Sequence, residues 1–491
     1  MRMPADRGWR RRVVAAVLLV VWNILSWCPV GVASTPVEAG FRDFSYPSGT
    51  GGNSEPTGEK PESKLWWHDG RWWGVLWSTA GGAYQVHWLD LDTQDWVDTG
   101  VIVDDRLKSR ADVLWDGDFL YVASHVFTTS SGSAATGERG ELSRYHYDED
   151  ARTFLPDPGF PVEITGGKSE ALVLAIDSTF RLWVTYVEGG KVMVNHSQNG
   201  DDRDWAGPFV LPVSGADSVG SDDVSSVIAF DGYTGVMWSD QSSGEKMYFA
   251  VHHDGDATGT WEGELVYGAS GDDHIHLTTL GCDVAGKIFA VVKTAISNPR
   301  LALLVCEKNM NACRTTDDWT AYPIYRSGDH SPTRPTLLID QENRELYVVS
   351  RNRKNGGDGT IYYKRSSIDD IDFPTGPGEP LIVSSSDDEI NDPTSTKQNL
   401  NSVMGLVVLA SDGVTEHYFH GHLELASSGT TSTSTTSTST TSTSTTSTIS
   451  STTTTSSTLP GLCGDDVVNQ PTEECDGADA TTCPGACDGG C

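Results

Sequence analysis

The chain has 491 residues, with 68 acidic against 34 basic side chains and a formal net charge of −34. A surface this acidic repels phosphate backbones and anionic membranes, which argues against nucleic acid as a partner and favours solubility. The length admits about three average domains or one large β domain with accessories, so the pattern along the chain has to decide.

Residues 1–34 hold five arginines against Asp6, then the apolar run Val13 to Val21, and end near Val32-Ala33-Ser34. This is the pattern of a secretory signal peptide. Its net +4 leaves −38 on the remainder. No later segment reaches the 18 apolar residues of a spanning helix, so no transmembrane segment is expected. Trp27 stands where a lipobox needs a small residue, so Cys28 is not read as a lipid anchor.

From residue 41 to 425 the chain repeats. An aromatic, often after an acidic residue, recurs at Trp96, Phe154, Trp205, Trp261, Trp319 and Phe373, with spacings of 58, 51, 56, 58 and 54. A second marker keeps the same rhythm: an apolar strand, a tight turn that is often Asp-Gly, and a second apolar strand. It begins at Leu65, Val113, Leu172, Val227, Leu277 and Thr336. Asp-Gly is hairpin chemistry, no long amphipathic helix intervenes, and a period of this size belongs to propeller blades. The fold class is therefore all-β, a β-propeller. A seventh unit is expected from Asn401 to Met404, Leu406 to Ala410 and Glu416 to Leu425, with no aromatic outer strand after it. Asp43-Phe44-Ser45-Tyr46 supplies that strand from the N-terminal side and leaves no open edge, giving seven blades, with six as the alternative.

Residues 427–460 form a Ser/Thr-rich linker that has no apolar surface to offset ordering entropy and is expected to be disordered. Residues 463–491 form a cysteine-rich module. The nine cysteines lie in an export context that permits disulfides: Cys306 and Cys313 bracket a short polar turn, and Cys463, Cys475, Cys483, Cys487 and Cys491 crowd the end. Cys282 has no evident mate.

The run Cys463-Gly464-Asp465 through Glu474-Cys475-Asp476-Gly477 to Cys483-Pro484-Gly485-Ala486-Cys487 resembles the myxococcal-type cysteine-rich repeats of secreted delta-proteobacterial proteins. The resemblance implies the exterior or cell surface of a Gram-negative bacterium and no particular reaction. Ser197-Gln198-Asn199-Gly200 before Trp205, and Asp254-Gly255 before Trp261, are similar to Asp-box turns of the sialidase and BNR-repeat superfamily. Such turns are structural, and no arginine followed by Ile-Pro occurs near the N-terminus, so the sialidase catalytic assignment is not carried over.

In a propeller, the loops entering the first strands and leaving the second strands share one face around the axis. Here they carry Glu62, Lys64, Arg110, Asp112, Lys168, Glu170, Asp222, Asp223, His274, His276, Arg334 and Asn401 on one side of the count, and His125, Glu188, Asp240, Lys293 and Arg351 on the other. Taken singly, most such charges are solvated or paired. Taken together they mark a candidate site. Asp112 and Glu170 are the carboxylate pair to consider for glycoside hydrolysis. Arg110, Arg334 and Arg351, with His125, His274 and Asp223, are candidate ligand-binding residues, since arginines clamp carboxylates through paired hydrogen bonds. The sialidase resemblance would add a tyrosine nucleophile, for which Tyr186 is the candidate.

No metal site is expected: His274 with His276, and His420 with His422, are half-sites, and no HExxH or paired CxxC occurs. No cofactor is expected either, and the acidic loops that offer calcium donors match no EF-hand. Trp66, Trp72 and Trp77 are read as blade packing, with sugar stacking as the other use. Two functions follow: an exported monomeric propeller that binds an extracellular glycan or protein, or a sialidase-like glycoside hydrolase.

Overall fold

The computed structural model describes residues 39–129, 137–241, 246–268, 271–280, 287–306, 313–326, 328, 331–354, 358–384 and 389–427. The expected signal peptide, cysteine-rich module and, apart from its first residue, Ser/Thr linker lie outside them, as does Cys282.

The described residues form seven antiparallel sheets of four or five strands. Their innermost strands are Leu65–His68, Ser109–Trp115, Leu172–Ile176, Ser225–Phe230, Gly271–Thr279, Ser331–Asp340 and Ile390–Thr394. Each contacts the next in order. Lys64 N and Leu65 N both donate to Ser395 O, which joins blade 7 back to blade 1. The fold is thus a seven-bladed β-propeller, and the six-bladed alternative falls away.

Blade 7 is completed from the N-terminal side: Phe41–Ser45 pairs with His417–Leu423, as Asp43-Phe44-Ser45-Tyr46 suggested. Its inner strand differs from expectation. Residues Asn401 to Met404 form a turn, in which Asn401 Oδ1 accepts from Val403 N and Met404 N at 3.0 Å. The inner strand is instead Ile390–Thr394, which contains Pro393 and reads poorly as a strand because proline donates no ladder bond.

Hairpin chemistry acts where it was read. Asp69 and Gly70 have φ of 49° and 69°, and Asp231 and Gly232 have 37° and 78°. Two successive left-handed residues make the turn whose twist suits a β-hairpin, and glycine takes the second position without steric cost.

The recurring aromatic has a packing reason. Phe154, from the outer part of blade 2, meets Trp66 and Trp73 of blade 1 edge-on, with centroids 5.4 and 5.1 Å apart. Trp261 of blade 4 meets Trp183 of blade 3 at 5.6 Å, and Trp319 of blade 5 meets Phe249 of blade 4 at 5.2 Å, both edge-on. Each marker is therefore a wedge between its own blade and the preceding one, in the T-shaped geometry the ring quadrupole favours. Trp66, Trp72 and Trp77 are buried, so they pack blades and offer no stacking faces. Cys306 and Cys313 form a disulfide that sets the turn before Trp319, whose Nε1 donates to Cys313 O at 3.3 Å.

The closing strand is fastened by side chains as well as by its ladder. His420 Nδ1 lies 2.9 Å from Asp43 Oδ1, and His420 Nε2 lies 3.0 Å from Gln94 Oε1 of blade 1. Tyr46 Oη lies 2.9 Å from both Ser54 O and Asp412 O, which share its one proton. Asp43→Ala removes the buried partner of His420 and should lower unfolding free energy by about 2 kcal/mol, the usual cost of leaving such a group unsatisfied. Urea denaturation of the two proteins measures it; an unchanged midpoint would show that the strand pairing alone closes the ring.

Candidate functional site

Between the closing strand and blade 1, residues 50–64 run inside the ring. Most of their polar side chains are buried, including Glu59, Lys60, Glu62 and Lys64. Buried charges need partners, and this segment finds them on several blades. Glu62 Oε1 lies 2.6 Å from His125 Nε2 of blade 2 and accepts from Leu172 N of blade 3 at 3.0 Å. Glu62 Oε2 accepts from Lys64 Nζ and from Glu59 N, both at 3.0 Å. The Glu62 carbonyl accepts from Thr394 Oγ1 of blade 7 at 2.9 Å. Burial pushes the Glu62 carboxyl up, but the Lys64 ammonium and His125 outweigh it and hold the carboxyl down, to about 2.

Arg110 is the second fastener. Its guanidinium ion-pairs with Glu59, donates to Gly51 O at 3.0 Å and to Asn53 Oδ1 at 2.8 Å, and stacks over Phe127 with 3.5 Å to the ring centroid. A Cβ at Gly58 would come within 2.8 Å of the guanidinium carbon, so a larger residue there would require the Arg110 side chain to shift. Asp112 lies in the same buried layer. Its Oδ1 accepts from Ser63 N at 2.8 Å, and its Oδ2 accepts from Leu174 N at 2.7 Å and from Lys397 Nζ at 2.5 Å. Burial leaves the Asp112 carboxyl above the ordinary range despite these donors.

Above this buried layer, on the face where first strands begin, a cleft of about 420 Å³ opens. Glu55, Glu59 and Lys60 line it from the inner segment; Phe127, Glu170, Asp222, Gln241, Asp272, His274, Lys293 and Arg334 line it from blades 2 to 6. Its charges interleave. Lys60 pairs with Glu59 and sits 3.0 Å from Glu170; Lys293 sits 2.7 Å from Asp272. Asp272 also lies 2.9 Å from His274 Nδ1, while His274 Nε2 faces Thr333 Oγ1 at 3.1 Å. Arg334, whose φ of 53° is left-handed, lies 2.5 Å from Asp392. Burial and the neighbouring Asp392 push the Glu55 carboxyl up.

Glu170, His274 and Arg334 therefore meet in the cleft. Arg110, Asp112 and His125 lie together beneath it, as partners of the inner segment. Asp223 is buried behind the rim, where it accepts from Gly220 N at 2.6 Å, Ser239 Oγ at 2.8 Å and Gln241 N at 3.1 Å, and so positions Asp222 and Gln241. Arg351 pairs with Glu389 at 2.6 Å across blades 6 and 7. The Tyr186 hydroxyl is buried and accepts from Gly166 N at 3.1 Å, away from the cleft. Sequence reasoning did not place Glu55, Glu59 or Lys60 here. The density of charge in Glu55-Pro56-Thr57-Gly58-Glu59-Lys60, just before the first blade, was the available signal. Among the described residues no group of His, Cys, Asp and Glu is arranged to hold a metal, and no helix is long and apolar enough to cross a membrane.

No protein-family model matches the chain, and no curated protein matches it in sequence. Solved structures similar to it include a polysaccharide lyase described as an ulvan lyase, at 9% identity and TM-score 0.47, covering 78% of this chain and 96% of that one. The BP39L lectin of Burkholderia pseudomallei aligns at 11% identity and TM-score 0.46, covering 73% and 98%. The NanB sialidase of Streptococcus pneumoniae aligns at 13% and 0.35, covering 79% and 71%.

Glu62→Gln leaves Lys64 and His125 without their shared anion in a buried layer, and should cost about 3 kcal/mol at pH 7. Because the folded value near 2 lies below the unfolded value of about 4.3, the stability that Glu62 contributes is present above pH ~4.3 and fades as pH falls toward 2. The gap between wild type and variant in urea denaturation should accordingly narrow from pH 7 to pH 3. A gap that stays constant would show that ionisation of Glu62 is not what holds the segment.

Proposed function

We propose that this chain is an exported propeller that recognises an extracellular glycan in the cleft over its axis. One observation carries the proposal: the cleft's carboxylates and cations alternate and are pre-paired, as in Lys60 with Glu170 and Lys293 with Asp272. A polyhydroxylated ligand suits such a surface, because each hydroxyl both donates to a carboxylate and accepts from an ammonium or guanidinium. A polyanion would need a surplus of cations, and the five lining carboxylates outnumber Lys60, Lys293 and Arg334. The buried layer beneath fixes these groups before any ligand arrives, which lowers the ordering cost of binding. Export, display outside a Gram-negative cell and a monomeric state belong to the same proposal and rest on the sequence pattern.

Glycoside hydrolysis is the second reading, and the raised Glu55 carboxyl favours it, since a general acid must be protonated at working pH. Glu55 and Glu170 share the cleft, whereas Asp112 lies beneath it and does not line it. If the protein is a hydrolase, Glu55 with Glu170 is the pair to test first, ahead of Asp112 with Glu170.

A glycan array probed with the purified protein tests the proposal. At least one glycan should be retained, and Glu170→Gln or Lys293→Ala should weaken it about tenfold with an unchanged thermal midpoint. Retention of none would sink glycan recognition. Mass spectrometry of the retained glycan after incubation separates the readings: new reducing ends that vanish in Glu55→Gln would make the protein a hydrolase.

A further inference from the structure

Beneath the inner segment, on the side away from the cleft, a smaller pocket of about 220 Å³ follows the inner strands toward their turns. Its walls are apolar. Val173, Ala175 and Ile228 are buried, while Leu114, Ile176 and Leu277, nearer the turns, are half-buried. Its inner end is polar, lined by Ser63 of the inner segment, His276 of blade 5 and Lys397 from blade 7. Ser63 is 1% exposed, and its Oγ has no hydrogen-bond partner among the described residues. His276 is 4% exposed, and its Nδ1 accepts from Leu337 N at 3.4 Å. A backbone amide can only donate, and burial with the Lys397 ammonium pushes the ring down to about 3, so the neutral imidazole carries its proton on Nε2. Among the described residues that N–H meets no acceptor. Lys397 gives two of its three N–H groups to Asp112 Oδ2, at 2.5 Å, and to Leu174 O. Buried donors without acceptors are costly, and three of them converge here at one end of apolar walls. Among the described residues no carboxylate lines the pocket, and Lys397 is its one charged group.

We propose that this pocket binds a small carboxylate with an apolar tail, its oxygens taken by Lys397, His276 and Ser63 and its tail lying along the inner strands of blades 3, 4 and 5. Size fits this class: an apolar cavity of ~150 Å³ takes benzene, so about 220 Å³ holds on the order of nine non-hydrogen atoms, the size of hexanoate. The site lies on the other side of the inner segment from the cleft and does not depend on the glycan assignment.

Calorimetric titration of the purified protein with hexanoate, hexanamide and acetate tests the proposal. Hexanoate should bind saturably, and the uncharged amide and the tailless acetate each at least tenfold more weakly. Diffuse attraction cannot imitate this result, because a chain of net charge −34 repels anions at long range. Ser63→Ala removes a hydroxyl that has no partner to lose, and should weaken hexanoate about fivefold with an unchanged thermal midpoint. His276→Phe keeps the ring but not the donor and should weaken it at least as much, while Lys293→Ala in the cleft leaves it unaltered. Absence of saturable binding, or amide or acetate binding as tightly as hexanoate, would overturn the proposal. So would an affinity unmoved by both pocket variants, or one lost in Lys293→Ala, which would move the anion to the cleft.

Discussion

One buried carboxylate holds the centre of this molecule together. Glu62 joins His125 of blade 2, the backbone of blade 3 and Lys64 at the start of blade 1, and its own carbonyl takes a bond from blade 7. A propeller ring brings seven inner strands around an axis they cannot fill with their own side chains, so something else must occupy it. Here an ionic segment does. Its burial is costly unless every charge is matched, and the matching is close: Glu59 with Lys60 and Arg110, Glu62 with Lys64, Asp112 with Lys397. An apolar plug of equal volume would cost less but would leave nothing polar at the mouth of the axis. The charged plug presents Glu55, Glu59 and Lys60 to the cleft while anchoring them from below.

Much of the fold was legible because a blade repeats the same physical problem. The aromatic period reports the wedge between neighbouring blades, and Asp-Gly reports the left-handed turns at Asp69-Gly70 and Asp231-Gly232. Closure by Phe41–Ser45 was legible for the same reason, since the missing outer strand of blade 7 left its aromatic at the other end of the repeat. The inner strand of blade 7 was not legible: Ile390–Thr394 has one apolar side chain and a proline, and it is held in place by neighbours more than by its own pattern. Asn401 to Met404 looked more like a strand and is a turn.

The site was legible as a ring of charge and not as a set of roles. Strand entrances locate residues around the axis but do not say which lie at the mouth and which lie beneath. Depth depends on the plug, whose course through the ring no periodicity encodes. Arg110, Asp112 and His125 are therefore partners of the plug, while Glu170, His274 and Arg334 line the cleft above it.

The pairing of Phe41–Ser45 with His417–Leu423 also sets an order of events in time. Arg42 and His417 meet across a sequence separation of 375, so the first strand of the fold must wait, unpaired, until the last blade exists. Local hairpins in blades 1 to 6 can form as soon as each is made, but ring closure carries the loop entropy of nearly the whole domain and comes last. Until then blade 7 exposes a three-stranded edge, the plug lacks its Thr394 contact and Asp112 of blade 2 lacks its Lys397 contact. A chain made from its N-terminus forward would thus remain open until its final strands arrive, and aggregation through that free edge is the hazard its folding has to outrun.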